Sequence, residues 1–111
     1  MRADRYGLTE KDLDTIIAAI TSLSEIKKVI LFGSRAMGNY RPGSDVDLAM
    51  EADSDSHRVA IHLAAKLNEE SPLPYMFDVI DVDGITEQPL MEHIEREGVP
   101  IYQKKVADEQ Y

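Results

Sequence analysis

A run of four apolar residues, VILF at positions 29–32, constrains the fold of this chain more than any other feature. Because successive side chains of a strand point to opposite faces, an uninterrupted apolar run must be covered on both of them. The run is rich in β-favouring residues and lies between Lys27–Lys28 and Gly33–Ser34, which bound it. The sequence therefore predicts a buried strand within a sheet.

Apolar spacing divides the rest of the chain into further helices and strands. Their order is helix, strand, loop, strand, helix, strand, helix, short strand. This order predicts an α/β or α+β domain, in which helices pack on a small mixed β-sheet. The predicted helices cover 10–22, 56–70 and 87–97, the strands cover 29–32, 46–51, 76–82 and 101–102, and the loop covers 33–44.

Length, charge and composition narrow the possible functions. The 111 residues fit a single domain over 1–111, in which we expect 104–111 to be a frayed tail. A net charge of −9 argues against binding to long nucleic acids or to an anionic membrane, since both need clustered Lys and Arg. There is no cysteine, and no apolar run approaches the roughly 18–20 residues that span a membrane. With no apolar signal core near the N-terminus, we expect a cytoplasmic protein.

The predicted loop begins with a Gly-Ser turn. Gly33 allows the backbone to turn sharply and to approach a ligand closely. Ser34 follows at the expected start of a short helix, where backbone N–H groups point outward and favour an anion. Its hydroxyl adds one donor for a phosphate oxygen. The turn is therefore a candidate phosphate site.

Two acids follow at the start of the next predicted strand. Asp45 and Asp47 alternate, so we expect both carboxylates on one face, about 6.5–7 Å apart at Cα. Like charges at this distance disfavour ionisation, and a divalent cation removes that cost. Mg²⁺ prefers one or two carboxylates together with substrate phosphates, and two ions about 3.5–4 Å apart can serve the attacking and leaving oxygens.

A third carboxylate would complete such a site, and the strand at 76–82 offers two. Asp78 lies between two apolar residues in mid-strand, where aspartate is disfavoured unless it has a function. Asp81 points to the opposite face and lies nearer the strand end. We predict Asp78 as the third carboxylate, with Asp81 as the alternative. The three histidines, His57, His62 and His93, are expected on the surface.

A Gly-Ser pair, ten residues and then Asp-x-Asp resemble the signature of the polymerase-β-type nucleotidyltransferase superfamily. The string GSRAMGNYRPGSDVDLAM is similar to its minimal members, and the likeness extends from the first helix to the ending HIEREGVPIY. The resemblance implies a small mixed sheet with helices packed on one side. It also implies that Gly33 and Ser34 bind a triphosphate and that Asp45 and Asp47 hold two Mg²⁺ ions. Asp78 would bind one ion and help to deprotonate the acceptor hydroxyl.

The same resemblance implies an enzyme that transfers a nucleoside monophosphate from an NTP to a hydroxyl, with AMP from ATP favoured. Met37 stands where relatives often have a basic residue. Contacts from the loop to the nucleotide are therefore assigned to Arg35, Arg41 and Ser44.

Minimal members of the superfamily typically pair with an all-helical HEPN-type protein. The resemblance implies an antitoxin that adenylylates a tyrosine on such a toxin partner, within a hetero-oligomer. Two alternatives stay open: the catalytic subunit of a two-subunit enzyme acting on a small molecule, and a non-catalytic antitoxin that neutralises by binding. The sequence does not fix the base of the NTP, the acceptor or the oligomeric state.

Overall fold

The computed structural model describes residues 6–105, which form a four-stranded sheet with helices on its two faces. A π-helical turn, Lys66–Glu70, continues the third helix, and a 3₁₀ turn, Val82–Gly84, follows the third strand. The elements are α1 (Glu10–Thr21), β1 (Ile26–Phe32), α2 (Ser34–Met37), β2 (Val46–Ala52), α3 (Ser56–Ala65), β3 (Phe77–Asp81), α4 (Gln88–Glu97) and β4 (Val99–Gln103). None of the helices within 6–105 is long and apolar enough to cross a membrane.

The sheet has the order β3-β2-β1-β4. β1 pairs antiparallel with β2 and with β4, whereas β2 and β3 are parallel. The parallel pair needs a long crossover, which α3 supplies. The predicted fold class, a mixed sheet with helices packed on it, is confirmed. As predicted, β1 is an interior strand, and Val29 and Leu31 are fully buried.

Two apolar clusters cover the two faces of the sheet. The larger cluster joins α1 and α3 to one face, through residues that include Ile16, Ile20, Val29, Leu48 and Leu63. The smaller cluster joins α4 to the other face, through Phe32, Ala49 and Ile94. The resemblance implied helices on one side only, but the alternation along β1 turns Ile30 and Phe32 to the second face, which α4 covers.

The first helix starts where its sequence predicts. The Thr9 hydroxyl accepts a hydrogen bond from the Asp12 backbone N–H at 3.0 Å, and the Asp12 carboxylate accepts from the Thr9 N–H at 3.0 Å. Tyr75 also donates to Asp12, at 2.7 Å. Burial raises the pKa of Asp12, but the hydrogen bonds from Tyr75 and Thr9 outweigh it and leave that pKa below its ordinary value.

Some predicted boundaries differ from the observed ones. β1 begins at Ile26 rather than at 29, because two half-buried lysines continue the ladder. The helix predicted over 56–70 is α-helical only to Ala65 before the π-helical turn. β4 has five residues instead of two. Lys104 is held by its backbone N–H, which donates to the Lys27 carbonyl at 2.8 Å, and 106–111 of the predicted tail lie outside the described residues.

Candidate active site

Two carboxylates lie side by side on the face of the sheet that carries α4. Asp47 of β2 is paired in register with Asp78 of β3 and with Phe32 of β1. Since side chains alternate along a strand, these three residues lie on the face opposite to the buried Val46 and Leu48. Asp47 is half-buried and Asp78 is exposed. The structure thus places the predicted third carboxylate next to Asp47.

Asp45 directly precedes β2 instead of lying within it, because the strand begins at Val46. Its side chain is exposed. The pKa of Asp47 lies above its ordinary value. Burial is the largest cause, and the negative charges of Asp78 and Asp45 add to it. The folded protein therefore disfavours the ionised form of Asp47, as expected where carboxylates crowd together.

The alternative third carboxylate, Asp81, lies on the other face of β3. It is paired with Met50, and its carboxylate accepts hydrogen bonds from the Ser56 hydroxyl at 2.9 Å and from the Asp83 N–H at 3.0 Å. Asp81 therefore ties the end of β3 to the start of α3. It does not lie beside Asp47.

Gly33 brings the end of β1 against the carboxylates. Its backbone has φ 79° and ψ −156°, a region that essentially only glycine occupies. A Cβ on Gly33 would overlap the carboxylate of Asp47. A side chain at position 33 would therefore conflict with the observed position of the Asp47 carboxylate as well as with the turn. The sequence alone did not indicate the first of these conflicts.

The predicted short helix after the turn is present as α2. It runs from Ser34 to Met37 and is followed by the capping residue Gly38, which has φ 86°. The first backbone N–H groups of a helix have no partner inside it. Among residues 6–105, no partner for the Ser34 hydroxyl is found either. These donors are available to an anion next to Gly33.

Arg35, which the sequence analysis assigned to the nucleotide, is buried inside the protein. Its side chain is only 2% exposed. Nε and Nη2 donate to the Ser44 carbonyl at 3.2 and 2.8 Å, and Nη1 donates to the Tyr6 carbonyl at 2.8 Å. The guanidinium also lies over the rings of Tyr40 and Tyr75, 5.3 and 4.9 Å from their centroids. Arg35 therefore joins α2 to the end of the loop, and its burial does not fit a contact to a nucleotide in solvent.

The two other loop residues assigned to the nucleotide form a turn. Ser44 donates its N–H to the Arg41 carbonyl at 2.9 Å, and its hydroxyl accepts from the Arg41 N–H at 2.8 Å. The Arg41 side chain is exposed, and no partner for its guanidinium is found in the described part of the chain. Contacts of Arg41 and Ser44 with a nucleotide stay predictions.

His93 was expected on the surface, but α4 places it half-buried near the carboxylates. Its ring packs edge-on against Phe32, with centroids 6.1 Å apart and an interplanar angle of 77°. Burial and the neighbouring acids raise the pKa of Asp47, and His93 opposes that rise. The sequence did contain a signal, because His93 follows Leu90 by three residues and therefore shares the apolar stripe of α4.

The donor set fits magnesium in its chemistry, although it is not a closed cage. Within residues 6–105, no three acidic or histidine side chains stand close enough together to hold a metal ion. Mg²⁺ nevertheless takes oxygen ligands and keeps waters and phosphate oxygens among them. Asp45, Asp47 and Asp78 are therefore suitable partial ligands.

The family of the chain follows from its sequence and agrees with this site. The family model described as polymerase beta, nucleotidyltransferase matches residues 14–107 of the 111. The chain belongs to the polymerase beta nucleotidyltransferase family, as the Gly-Ser and Asp-x-Asp spacing predicted.

Solved structures with the same fold include two toxin–antitoxin structures. A toxin–antitoxin crystal structure with AMP-PNP has a TM-score of 0.68 and 24% identity, with 89% of this chain and 79% of that chain covered. The toxin–antitoxin MntA–HepT has a TM-score of 0.60 and 22% identity, with 88% and 75% covered. At such identities the likeness establishes the fold. No curated protein sequence matches the chain at a significant level.

Proposed function

We propose that this chain is a Mg²⁺-dependent nucleotidyltransferase that transfers AMP from ATP to a tyrosine hydroxyl of a helical, HEPN-type toxin partner and thereby acts as its antitoxin. The observation that carries the proposal is the register pairing of Asp47 with Asp78, directly beside Gly33. Nucleotidyl transfer depends on the positioning of the phosphates and on electrostatic stabilisation of their charge. Acidic metal ligands beside a phosphate-binding turn are suited to both tasks.

Each residue of the site has a role in the proposed reaction. Gly33 and Ser34 would donate backbone and hydroxyl hydrogen bonds to the triphosphate. Asp45 and Asp47 would hold two Mg²⁺ ions, with Asp78 as a ligand of one. When bound, such ions stabilise both the attacking and the leaving oxygen of an in-line displacement.

The proposed transfer is a displacement at the α-phosphorus of ATP. The acceptor oxygen forms a bond to the α-phosphorus, and the bond from that phosphorus to the bridging oxygen breaks. Pyrophosphate carries away the electron pair of the broken bond. Asp78, exposed at the open edge of the sheet, takes the proton of the acceptor hydroxyl.

Two observations support a protein acceptor. The two solved structures described above are toxin–antitoxin structures, and one of them contains AMP-PNP. The net charge of −9 disfavours a long nucleic acid as the acceptor. A toxin protein as the acceptor agrees with both observations.

The test uses intact-mass spectrometry of the proposed toxin partner. The partner is incubated with ATP, Mg²⁺ and either the parent chain or the double variant Asp45→Asn, Asp47→Asn. We expect AMP adducts on the partner with the parent and none with the double variant. The matched control is Asp53→Asn, Asp55→Asn, which changes an exposed Asp-x-Asp pair of the same spacing and should leave the adduct unchanged.

Two results would contradict the proposal. Neutralisation of the partner by parent and double variant alike, without an adduct, would establish an antitoxin that acts by binding. An unmodified partner, with nucleotide transferred to an added small molecule, would establish the two-subunit enzyme.

A further inference from the structure

β3 forms one edge of the sheet, and some of its backbone groups point away from the sheet. Val46 donates its N–H to the Met76 carbonyl at 2.9 Å and is paired with Phe77. In a parallel ladder, the backbone groups of alternate residues point to the same side. The N–H and C=O groups of Phe77 and Val79 therefore point outward, away from β2.

The chain closes this edge at one position and leaves it open at the next. The side-chain amide of Asn68 donates to the Phe77 carbonyl at 3.0 Å and accepts from the Phe77 N–H at 2.8 Å. This amide takes the place of a neighbouring strand. No such partner for the outward groups of Val79 is found among residues 6–105. An edge of this kind is a template for pairing with another chain.

The open position lies in a groove with a volume of about 620 Å³. One wall is α3, whose small alanines leave room for a close approach and whose Ile61 is 56% exposed. The opposite wall is formed by residues that follow β3. We call this the edge groove and define it by Ala60, Ile61, Ala64, Val79, Ile85 and Leu90.

The charges around the edge groove select its occupant. The residues that line it include three acids, Glu69, Asp81 and Glu87, but no lysine or arginine. A basic segment is therefore attracted, in keeping with the net charge of −9. A second copy of this chain is disfavoured, since its own β3 edge would bring the same acids.

We propose that the edge groove binds an extended, basic segment of the partner protein, outside its helices, which adds to β3 as a further strand. Val79 supplies an N–H and a C=O to the backbone of that segment. The apolar walls cover its apolar side chains, and the acids attract its lysines or arginines. This inference rests on the proposed function, because it names where the acceptor-bearing partner docks: Val79 adjoins Asp78, so the docked segment passes the carboxylates.

The test is an NMR titration of the isotope-labelled full chain, without nucleotide or metal. The probe is the synthetic peptide Lys-Lys-Val-Ile-Val-Lys-Lys, which has an apolar centre and basic ends. Its counterpart, Glu-Glu-Val-Ile-Val-Glu-Glu, keeps the shape and reverses the charge. We expect amide shifts confined to α3, β3 and the residues after β3 with the basic peptide, and none with the acidic one.

Matched variants separate strand addition from general attraction. Val79→Pro removes the outward N–H without touching the ladder to β2, because an edge strand accepts proline at such a position. We expect it to weaken binding at least about tenfold, while Val79→Ala weakens it less than about threefold. Ile61→Lys should also weaken binding about tenfold, whereas Met37→Lys, the same charge change at a residue 47% exposed outside the edge groove, should not.

Any of three results would overturn the inference. The first is amide shifts spread over the whole acidic surface. The others are equal effects of Ile61→Lys and Met37→Lys on binding, and equal binding by Val79→Pro and Val79→Ala. If Val79→Pro fails to fold, the comparison of Ile61→Lys with Met37→Lys decides whether the peptide binds in the edge groove. Since the titration contains no ATP, peptide binding without AMP transfer in the mass assay would refute the proposed function and leave the docking site standing.

Discussion

Replacement of the buried Arg35 by methionine should destabilise the protein by about 3 kcal/mol. Methionine keeps the apolar stem but removes every donor, so the carbonyls of Tyr6 and Ser44 lose the hydrogen bonds that Arg35 gives them. The part-buried Ser44 carbonyl, left without its charged donor, costs about 1–3 kcal/mol, and the lost contacts with Tyr40 and Tyr75 add about 0.5–2 kcal/mol. Arg35 forms no salt bridge within 6–105, so burial of its charge carries a desolvation cost. Methionine removes this cost, which offsets part of the loss.

Urea denaturation followed by circular dichroism measures the effect as a change in the free energy of unfolding. The control is Arg41→Met, in the same loop but with an exposed side chain, which should change stability by less than about 0.5 kcal/mol. Arg35→Lys should fall between the two, because a single ammonium cannot reproduce the planar fork that reaches both carbonyls. A loss below about 1 kcal/mol for Arg35→Met would refute the reasoning that these carbonyls depend on the guanidinium.

Further predictions concern the turn, the carboxylates and the metal. In urea denaturation, Gly33→Ala should destabilise more than Gly43→Ala, because both have positive φ but only the first would meet Asp47; equal losses would contradict this. Burial and neighbouring charges raise the pKa of Asp47 above 3.8, so the parent loses stability as pH rises from that value through the raised pKa. Without metal, Asp47→Asn should therefore be more stable than the parent at neutral pH, and the difference should vanish in acid; a pH series of melting scans measures it. Mg²⁺ with ATP should raise the melting temperature of the parent relative to EDTA but not that of Asp45→Asn, Asp47→Asn, and identical midpoints for the parent would exclude the metal site.

Local patterns in the sequence determined the elements and the chemistry of the site. The apolar run at 29–32 predicted an interior strand, and Thr9 with Asp12 marked the start of α1, because both signals act over a few neighbouring residues. The spacing from Gly33 to Asp47 predicted the family, which the match over residues 14–107 confirms. Such features are local in the chain, so they can be found without the fold.

Only the tertiary structure decided which distant residues meet. The parallel register of β2 and β3 places Asp78, and not Asp81, beside Asp47, because a strand turns alternate residues to opposite faces and the register selects the face. Burial of Arg35 likewise depends on Tyr6, Tyr40 and Tyr75, which come together from three separate segments. A loop arginine looks solvated in sequence, since its neighbours along the chain contain none of the groups that enclose it in space.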